Sequence, residues 1–326
     1  MSPNEPRFII RQGGKYGAIN IAGDEVVEPQ YEYLGEFREG LACFKRAGAF
    51  GFVDDGGCVV VEPRFTSARG AGPYFSDGTA LVGESGKLYY IDRLGQRLLQ
   101  TIFYSATDFS CGLAMVKRLG FDENYSVIKK RGEHVSDLLI FEVPDYPGWP
   151  QSWELFNCFV DVGGMLLIGG FNCRGNCLFR PQYPAMTEFF GGVAGFCKDE
   201  NSGLFGLIDL NGHILQPPRY YQMSNFEEGL ACAGAGSKRF GFINSCGDWV
   251  IEPTFQRTQP FSDGFACVTM NRKKGFINKK GEMVIEPRFD REASFKDGLA
   301  EVEFEKSRAY INKMGEVVWR TTTDDF

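Results

Sequence analysis

Histidine is nearly missing from this chain, with His134 and His213 the only two in 326 residues. They stand far apart, and a single imidazole supplies neither a His-rich metal centre nor a catalytic triad. Both read as tolerated strand-edge residues, and no catalytic residue, metal site or cofactor is expected. Basic charge is also short, since 35 Lys and Arg against 42 Asp and Glu leave a net charge of −7. That balance argues against a nucleic-acid backbone as the main ligand. No apolar run approaches the length of about eighteen residues that a membrane-spanning helix needs, so no span is expected. Met1–Pro6 is polar, with no apolar segment to follow, which is unlike a secretory leader. Apolar residues at the 3.6 period of a helix are lacking throughout.

What the chain does contain is 41 glycines, 15 prolines and 30 phenylalanines, the make-up of many turns around an aromatic core. The stretch Gly264–Pro287, GFACVTMNRKKGFINKKGEMVIEP, serves as the template. Ala266, Val268 and Met270 alternate with Cys267 and Thr269, the period of a β-strand. Gly275–Asn278 is short and apolar on both sides through Phe276 and Ile277. A third strand from Met283 ends at Pro287, which has no N–H for a ladder. Asn278-Lys-Lys-Gly281 between the last two has the residues of a tight turn, polar first and glycine fourth.

That turn glycine recurs as Gly23, Gly57, Gly95, Gly132, Gly175, Gly212, Gly247, Gly281 and Gly315. Asn or Asp stands three places earlier every time except at Lys129. The chain is therefore all-β, a tandem array of nine three-stranded antiparallel meanders, 34–43 residues apart. The repeats cover 8–29, 41–63, 79–101, 113–142, 157–181, 193–218, 230–253, 265–287 and 299–320, with an irregular insertion at 143–156. Linkers join them, opening on an aromatic (Tyr31, Phe65, Phe103, Tyr183, Tyr220, Phe255, Phe289) and ending in Phe-x-[Asp/Glu]-Gly, with an alanine starting the next strand. Middle-strand pairs such as Phe52-Val53 and Phe242-Ile243 are apolar on both faces and need cover on both. One meander cannot provide that, so stacking on neighbours is predicted. Three strands and about 34 residues favour an open solenoid or superhelix; a fourth strand hidden in the linker would favour propeller-like closure.

Of the ten cysteines, Cys43, Cys232 and Cys267 share a repeat position with Leu81 and Met115, so they read as small hydrophobes in a reducing cytoplasm rather than as disulfides. Cys173 and Cys177 bracket a turn, too little for a zinc site without a second pair. Carboxylates recur before the strand-ending proline (Glu28, Glu62, Glu252, Glu286) and in the linkers (Glu39, Asp77, Glu228, Asp263, Asp297). Stacking would align them into rows that hold or steer a basic partner; strand-edge and turn chemistry explains them equally. The insertion places Tyr146, Trp149 and Trp153 among prolines, either as interface anchors or as a plug beneath the irregular repeat four.

The segments Gly-Lys-Tyr16-Gly17-Ala-Ile-Asn20 and Arg239-Phe-Gly-Phe-Ile-Asn244, with Phe-x-[Asp/Glu]-Gly-Leu-Ala at Phe37–Ala42 and Phe295–Ala300, resemble the WG (KWG) repeat family over nearly the whole chain. The namesake Trp is replaced by Tyr16, Phe50, Phe205, Phe240, Lys274 and Arg308. The resemblance implies a β-rich, mostly bacterial repeat protein that binds without catalysis. The expectation is a non-enzymatic module with a protein partner, in sharper form an intracellular inhibitor or immunity-type protein for a basic toxin or effector. The alternatives are a small-ligand or glycan binder, or an enzyme, working from repeats four and five, and a structural spacer.

Overall fold

The computed structural model describes residues 5–66, 72–110, 112–118, 125–140, 156–162, 165–171, 177–199, 202–304 and 307–321. Every regular element among them is a β-strand, and all pairings are antiparallel. The chain divides into two compact bodies. The first holds Met1–Phe141 with Asp145–Gln151 and Thr321–Phe326, and the second holds Glu142–Pro144 and Ser152–Arg320. Repeats one to four lie in the first and five to nine in the second.

Repeat eight shows the plan. Its opening strand Phe265–Met270 pairs with the middle strand Lys273–Asn278, which pairs with the closing strand Met283–Phe289. The linker adds a short fourth strand, Arg257–Thr258, on the free side of the opening strand. The same addition is made by Tyr33–Leu34 in repeat two and Phe295–Lys296 in repeat nine. A four-stranded unit has the strand count of a propeller blade.

The turn between middle and closing strands follows from its first residue. Asn278 Oδ1 accepts from the amides of Lys280 (2.9 Å) and Glu282 (3.1 Å), while Gly281 N–H returns to the Asn278 carbonyl. Gly281 has a φ of 82°, the left-handed region that glycine enters freely. Gly23, Gly57, Gly95, Gly132, Gly212, Gly247 and Gly315 also lie at positive φ; Gly175 falls outside the described residues. Lys129 keeps the backbone turn through Gly132 N–H but contributes no side-chain acceptor.

Burial sits between repeats. Phe276 and Ile277 are consecutive, yet Phe276 packs with Phe289, Phe295 and Val302 toward repeat nine, and Ile277 with Phe242, Phe261 and Cys232 toward repeat seven. Val53 and Phe52 divide in the same way between repeats one and three. Each such side chain, fully buried, contributes about 1.5–3 kcal/mol. The second linker aromatic locks each interface by packing on the middle-strand ring of the repeat before: Phe75 on Phe52 at 4.8 Å, Phe109 on Tyr90 at 4.6 Å, Phe261 on Phe242 at 4.6 Å and Phe295 on Phe276 at 4.9 Å. The alanines that start the opening strands are buried from Ala42 to Ala300, leaving room for that close approach.

A second glycine has a different cause. Gly275, at the start of the Gly-Phe-Ile-Asn segment, lies under the closing strand where it bulges ahead of Pro287. A Cβ there would stand 2.5 Å from the Ile285 carbonyl oxygen and 2.8 Å from Pro287 N. Gly17, Gly51, Gly206 and Gly241 meet the same obstruction from Val27, Val61, Gln216 and Ile251. Glycine and proline travel together along the chain. Gly17, Gly51, Gly169, Gly206, Gly241 and Gly275 go with Pro29, Pro63, Pro181, Pro218, Pro253 and Pro287, whereas Tyr89, Ser126 and Ala309 go with Thr101, Leu138 and Thr321.

The exceptions show the constraint at work. In repeat nine Ala309 pairs with Arg320 and Tyr310 with Trp319 without a bulge between them. In repeat three the ring of Tyr89 occupies the glycine position and the closing strand is reduced to isolated contacts, Ile91 with Arg97 and Leu98 N–H to the Tyr90 carbonyl. Tyr89 instead donates to Glu84 and lies under the Arg97 guanidinium, 4.8 Å from the ring centre. Burial, then the bond to the Glu84 carboxylate, pushes its phenol up to about 12.

Gly275→Ala drives a methyl group into backbone rather than into a movable side chain. The expected cost is about 1–3 kcal/mol or more, read as a lower urea midpoint, while Ala309→Gly leaves the packing of repeat nine without a clash to relieve. Equal stability of Gly275→Ala and the parent chain would contradict the assignment.

Candidate interaction surface

The carboxylates that recur before the strand-ending proline lie on the solvent side of the closing strands. Glu28, Glu62, Glu252 and Glu286 are all exposed, and none is in an ion pair with another described residue. Two positions earlier on the same side stand Val60, Val250 and Val284, exposed by 38%, 47% and 42%. Arg64 and Arg288 follow two positions later, but their guanidinium groups are engaged elsewhere. Each stacks over the adjacent Phe ring (4.8 and 5.1 Å) and donates to a turn glycine of the next repeat, Arg64 to the Gly95 carbonyl at 2.6 Å and Arg288 to that of Gly315. Arg219 does the same to Gly247 at 2.8 Å.

The linker carboxylates are used quite differently. Glu39-Gly40, Asp77-Gly78, Glu228-Gly229, Asp263-Gly264 and Asp297-Gly298 are two-residue turns with both members at positive φ. The first four of these acids reach forward one repeat and accept from the equivalent glycine amide: Glu39 from Gly78 at 2.9 Å, Asp77 from Gly112 at 2.5 Å, Glu228 from Gly264 at 3.1 Å and Asp263 from Gly298 at 2.6 Å. A cation on the next repeat's Asn-type turn closes the node. Arg93 lies 3.8 Å from Glu39, Lys130 3.9 Å from Asp77, Lys279 2.9 Å from Glu228 and Lys313 3.8 Å from Asp263.

These four acids join successive repeats and are not free for a partner. A signal for this was in the sequence: where Gly191 replaces the acid in repeat six, Ser245 replaces the cation in repeat seven. For Glu228, burial pushes the carboxyl up, but the hydrogen bond and charge of Lys279 with the Gly264 amide outweigh it, and the group sits below the usual glutamate range.

The remaining candidates separate cleanly. His213 Nδ1 lies 3.1 Å from Asp209 Oδ2, and the His213 and Asn211 amides bond the same carboxylate, holding Asp209 below its usual range. His134 begins the closing strand of repeat four. Cys43, Cys232 and Cys267 are buried and free, and desolvation pushes the thiols of Cys43 and Cys267 up to about 12 and about 11, far from a nucleophile's range. No group of three or more metal-ligating side chains occurs among the described residues, and none of their elements is a helix able to cross a membrane. Tyr146, Trp149, Trp153, Cys173 and most of the 143–156 insertion lie outside the described residues.

Because Glu228 is held ionised, its contribution is complete above the ordinary glutamate range and is lost as pH falls through the lower, folded value. Glu228→Gln is expected to lower stability at pH 7 by about 1 kcal/mol or less, with the deficit shrinking on acidification in parallel urea titrations. A deficit independent of pH would contradict the node.

No protein of curated function matches the chain. A crystal structure of a eukaryotic initiation factor is similar in fold, with a TM-score of 0.69 at 10% identity over 97% of this chain and 96% of that one. BamB from Moraxella catarrhalis (TM-score 0.42, 10% identity, 99% and 95% covered) and Hsv2p from Kluyveromyces lactis (0.37, 8%, 88% and 96%) are looser likenesses. The model of the WG containing repeat matches five stretches, 16–48, 90–120, 205–238, 240–273 and 275–306, together half of the chain. These stretches hold the obstructed Gly17, Gly206, Gly241 and Gly275, the turns that start at Asn20, Asp92, Asp209, Asn244 and Asn278, and the linker acids Glu39, Glu228, Asp263 and Asp297, and the chain belongs to the WG-containing repeat family.

Proposed function

We propose that this protein is a non-enzymatic, protein-binding repeat scaffold whose partner is basic. The observation that supports it is the set of closing-strand carboxylates, Glu28 and Glu62 in one body and Glu252 and Glu286 in the other, which are in no ion pair with another described residue. Unneutralised surface carboxylates steer and orient a cationic partner, and the exposed valines beside them add apolar contact area. Pro29, Pro63, Pro253 and Pro287 follow directly and withhold a ladder donor, so a partner meets side chains here rather than extending the sheet. In its sharper form the scaffold is an intracellular inhibitor or immunity-type protein for a basic toxin or effector. The free thiols of Cys43, Cys58, Cys197, Cys232, Cys246 and Cys267 fit a reducing cytoplasm.

Cross-linking of the tagged chain in its native host, followed by mass spectrometry, tests this. A basic protein is expected at near-equal amounts, with cross-links to the closing strands, and Glu252→Lys with Glu286→Lys is expected to lose it. Retention of the same partner by that variant, or recovery of acidic partners alone, would contradict the proposal.

A further inference from the structure

Against the acidic balance of the whole chain, one end of repeats seven and eight is basic. The hairpin tip between the opening and middle strands of repeat seven carries Lys238 and Arg239, and that of repeat eight carries Arg272, Lys273 and Lys274. Arg257, on the linker strand of repeat eight, pairs across to Thr269, which pairs in turn with Lys274. Gln256 beside it bonds the tip, its Oε1 accepting from Arg272 N–H at 3.4 Å. The two sheets pack face to face through Cys232 and Phe242 against Val268 and Ile277. The middle strand that follows Arg239 lies against the strand that carries Arg257, so the two tips stand at the same end of neighbouring packed sheets.

Lys238, Arg239, Arg257 and Arg272 are all exposed, and none is in an ion pair with a described carboxylate. Carboxylates at the same end are engaged by others. Asp290 takes Lys273 and, through its carbonyl, Lys274 at 3.0 Å, and Glu292 accepts from Gln259 at 2.5 Å. In repeat nine the cations are paired, Arg291 with Glu303 at 3.4 Å and Arg308 with Glu301 at 3.7 Å, which bounds the patch.

The backbone at the centre of the patch is strained. The tips of repeats one, two and three place Gly14, Gly48 and Gly86 in the left-handed region, with φ of 72°, 80° and 75°. Repeat eight places Asn271 and Arg272 there, with φ of 49° and 67°. Arginine, unlike glycine, resists this conformation. A two-residue tip requires positive φ at both positions, and repeat eight meets that requirement with an exposed arginine that pairs with no described carboxylate, at a cost in backbone strain.

We propose that Lys238, Arg239, Arg257 and Arg272 form a docking surface for a short acidic peptide segment of a second protein. Four cations across two adjacent hairpin ends match a few consecutive carboxylates. The footprint is too small, and the surrounding chain too acidic, for a nucleic-acid duplex. This surface is distinct from the closing-strand row and stands whether or not that row binds a basic partner.

The probe is a fluorescein-labelled octaglutamate peptide, titrated into the full-length chain at low and at physiological ionic strength. Binding that weakens with salt is expected, reduced at least about tenfold by Arg239→Glu with Arg272→Glu and changed less than about twofold by Lys280→Glu, a cation on the opposite end. Arg272→Gly removes the charge and relieves the strain together, so it is expected to weaken peptide binding while raising the melting temperature. The melting temperatures of all variants confirm folding. Affinity indifferent to the double reversal, or a lower melting temperature in Arg272→Gly, overturns the proposal. So does tighter, equally Arg239- and Arg272-dependent binding of a DNA oligonucleotide or of phosphatidylserine vesicles.

Discussion

Everything in this protein depends on a middle strand that is apolar on both sides. Phe276 faces one neighbouring repeat and Ile277 the other, and neither face meets water. A single meander has no second layer with which to cover such a strand, so its hydrophobic stabilisation exists only within a stack. The linker aromatics, the buried alanines and the carboxylate nodes all act at the same interfaces. They fix the distance, the registration and the order of the repeats that the apolar faces bring together.

Within each repeat, a close approach replaces a layer of side chains. The closing strand bulges so that its carbonyl sits where a Cβ would be, over Gly17, Gly51, Gly206, Gly241 or Gly275. This explains why the aromatic at the namesake Trp position varies from Tyr16 to Lys274 while the glycine beside it holds in those repeats. The namesake side chain ranges from partly exposed at Tyr16, Phe205, Phe240 and Lys274 to buried at Phe50, whereas the glycine lies against backbone, which cannot step aside. Tyr89 shows the consequence, because the strand that should cover it is nearly gone.

Much of this was legible in the sequence, because turn chemistry and two-sided apolar strands are local. Asn278 and Gly281 specify their turn within four residues, and Phe276-Ile277 announces its two faces in two. The linker strand was not legible, since pairs such as Tyr33-Leu34 are too short for an alternation to show. In repeat three Leu88-Tyr-Tyr-Ile91 reads as a good strand, and only the missing glycine and proline betray the loss of its partner. Of the candidate site, the two carboxylate rows were visible, but which one is free was not. Glu228 finds Gly264 and Lys279 36 and 51 residues away, and such pairing is set by stacking rather than by neighbours in the chain. The basic tips of repeats seven and eight were hidden for the same reason, being far apart in sequence and outweighed in the total charge.

Native-state hydrogen exchange of the full chain carrying Phe276→Ala tests the dependence of each repeat on its neighbours most directly. Phe276 contacts repeat nine, so protection of the middle-strand amides in Ser307–Asn312 is expected to fall together with that in Lys273–Asn278. Loss confined to repeat eight, with repeat nine as protected as before, would contradict the account.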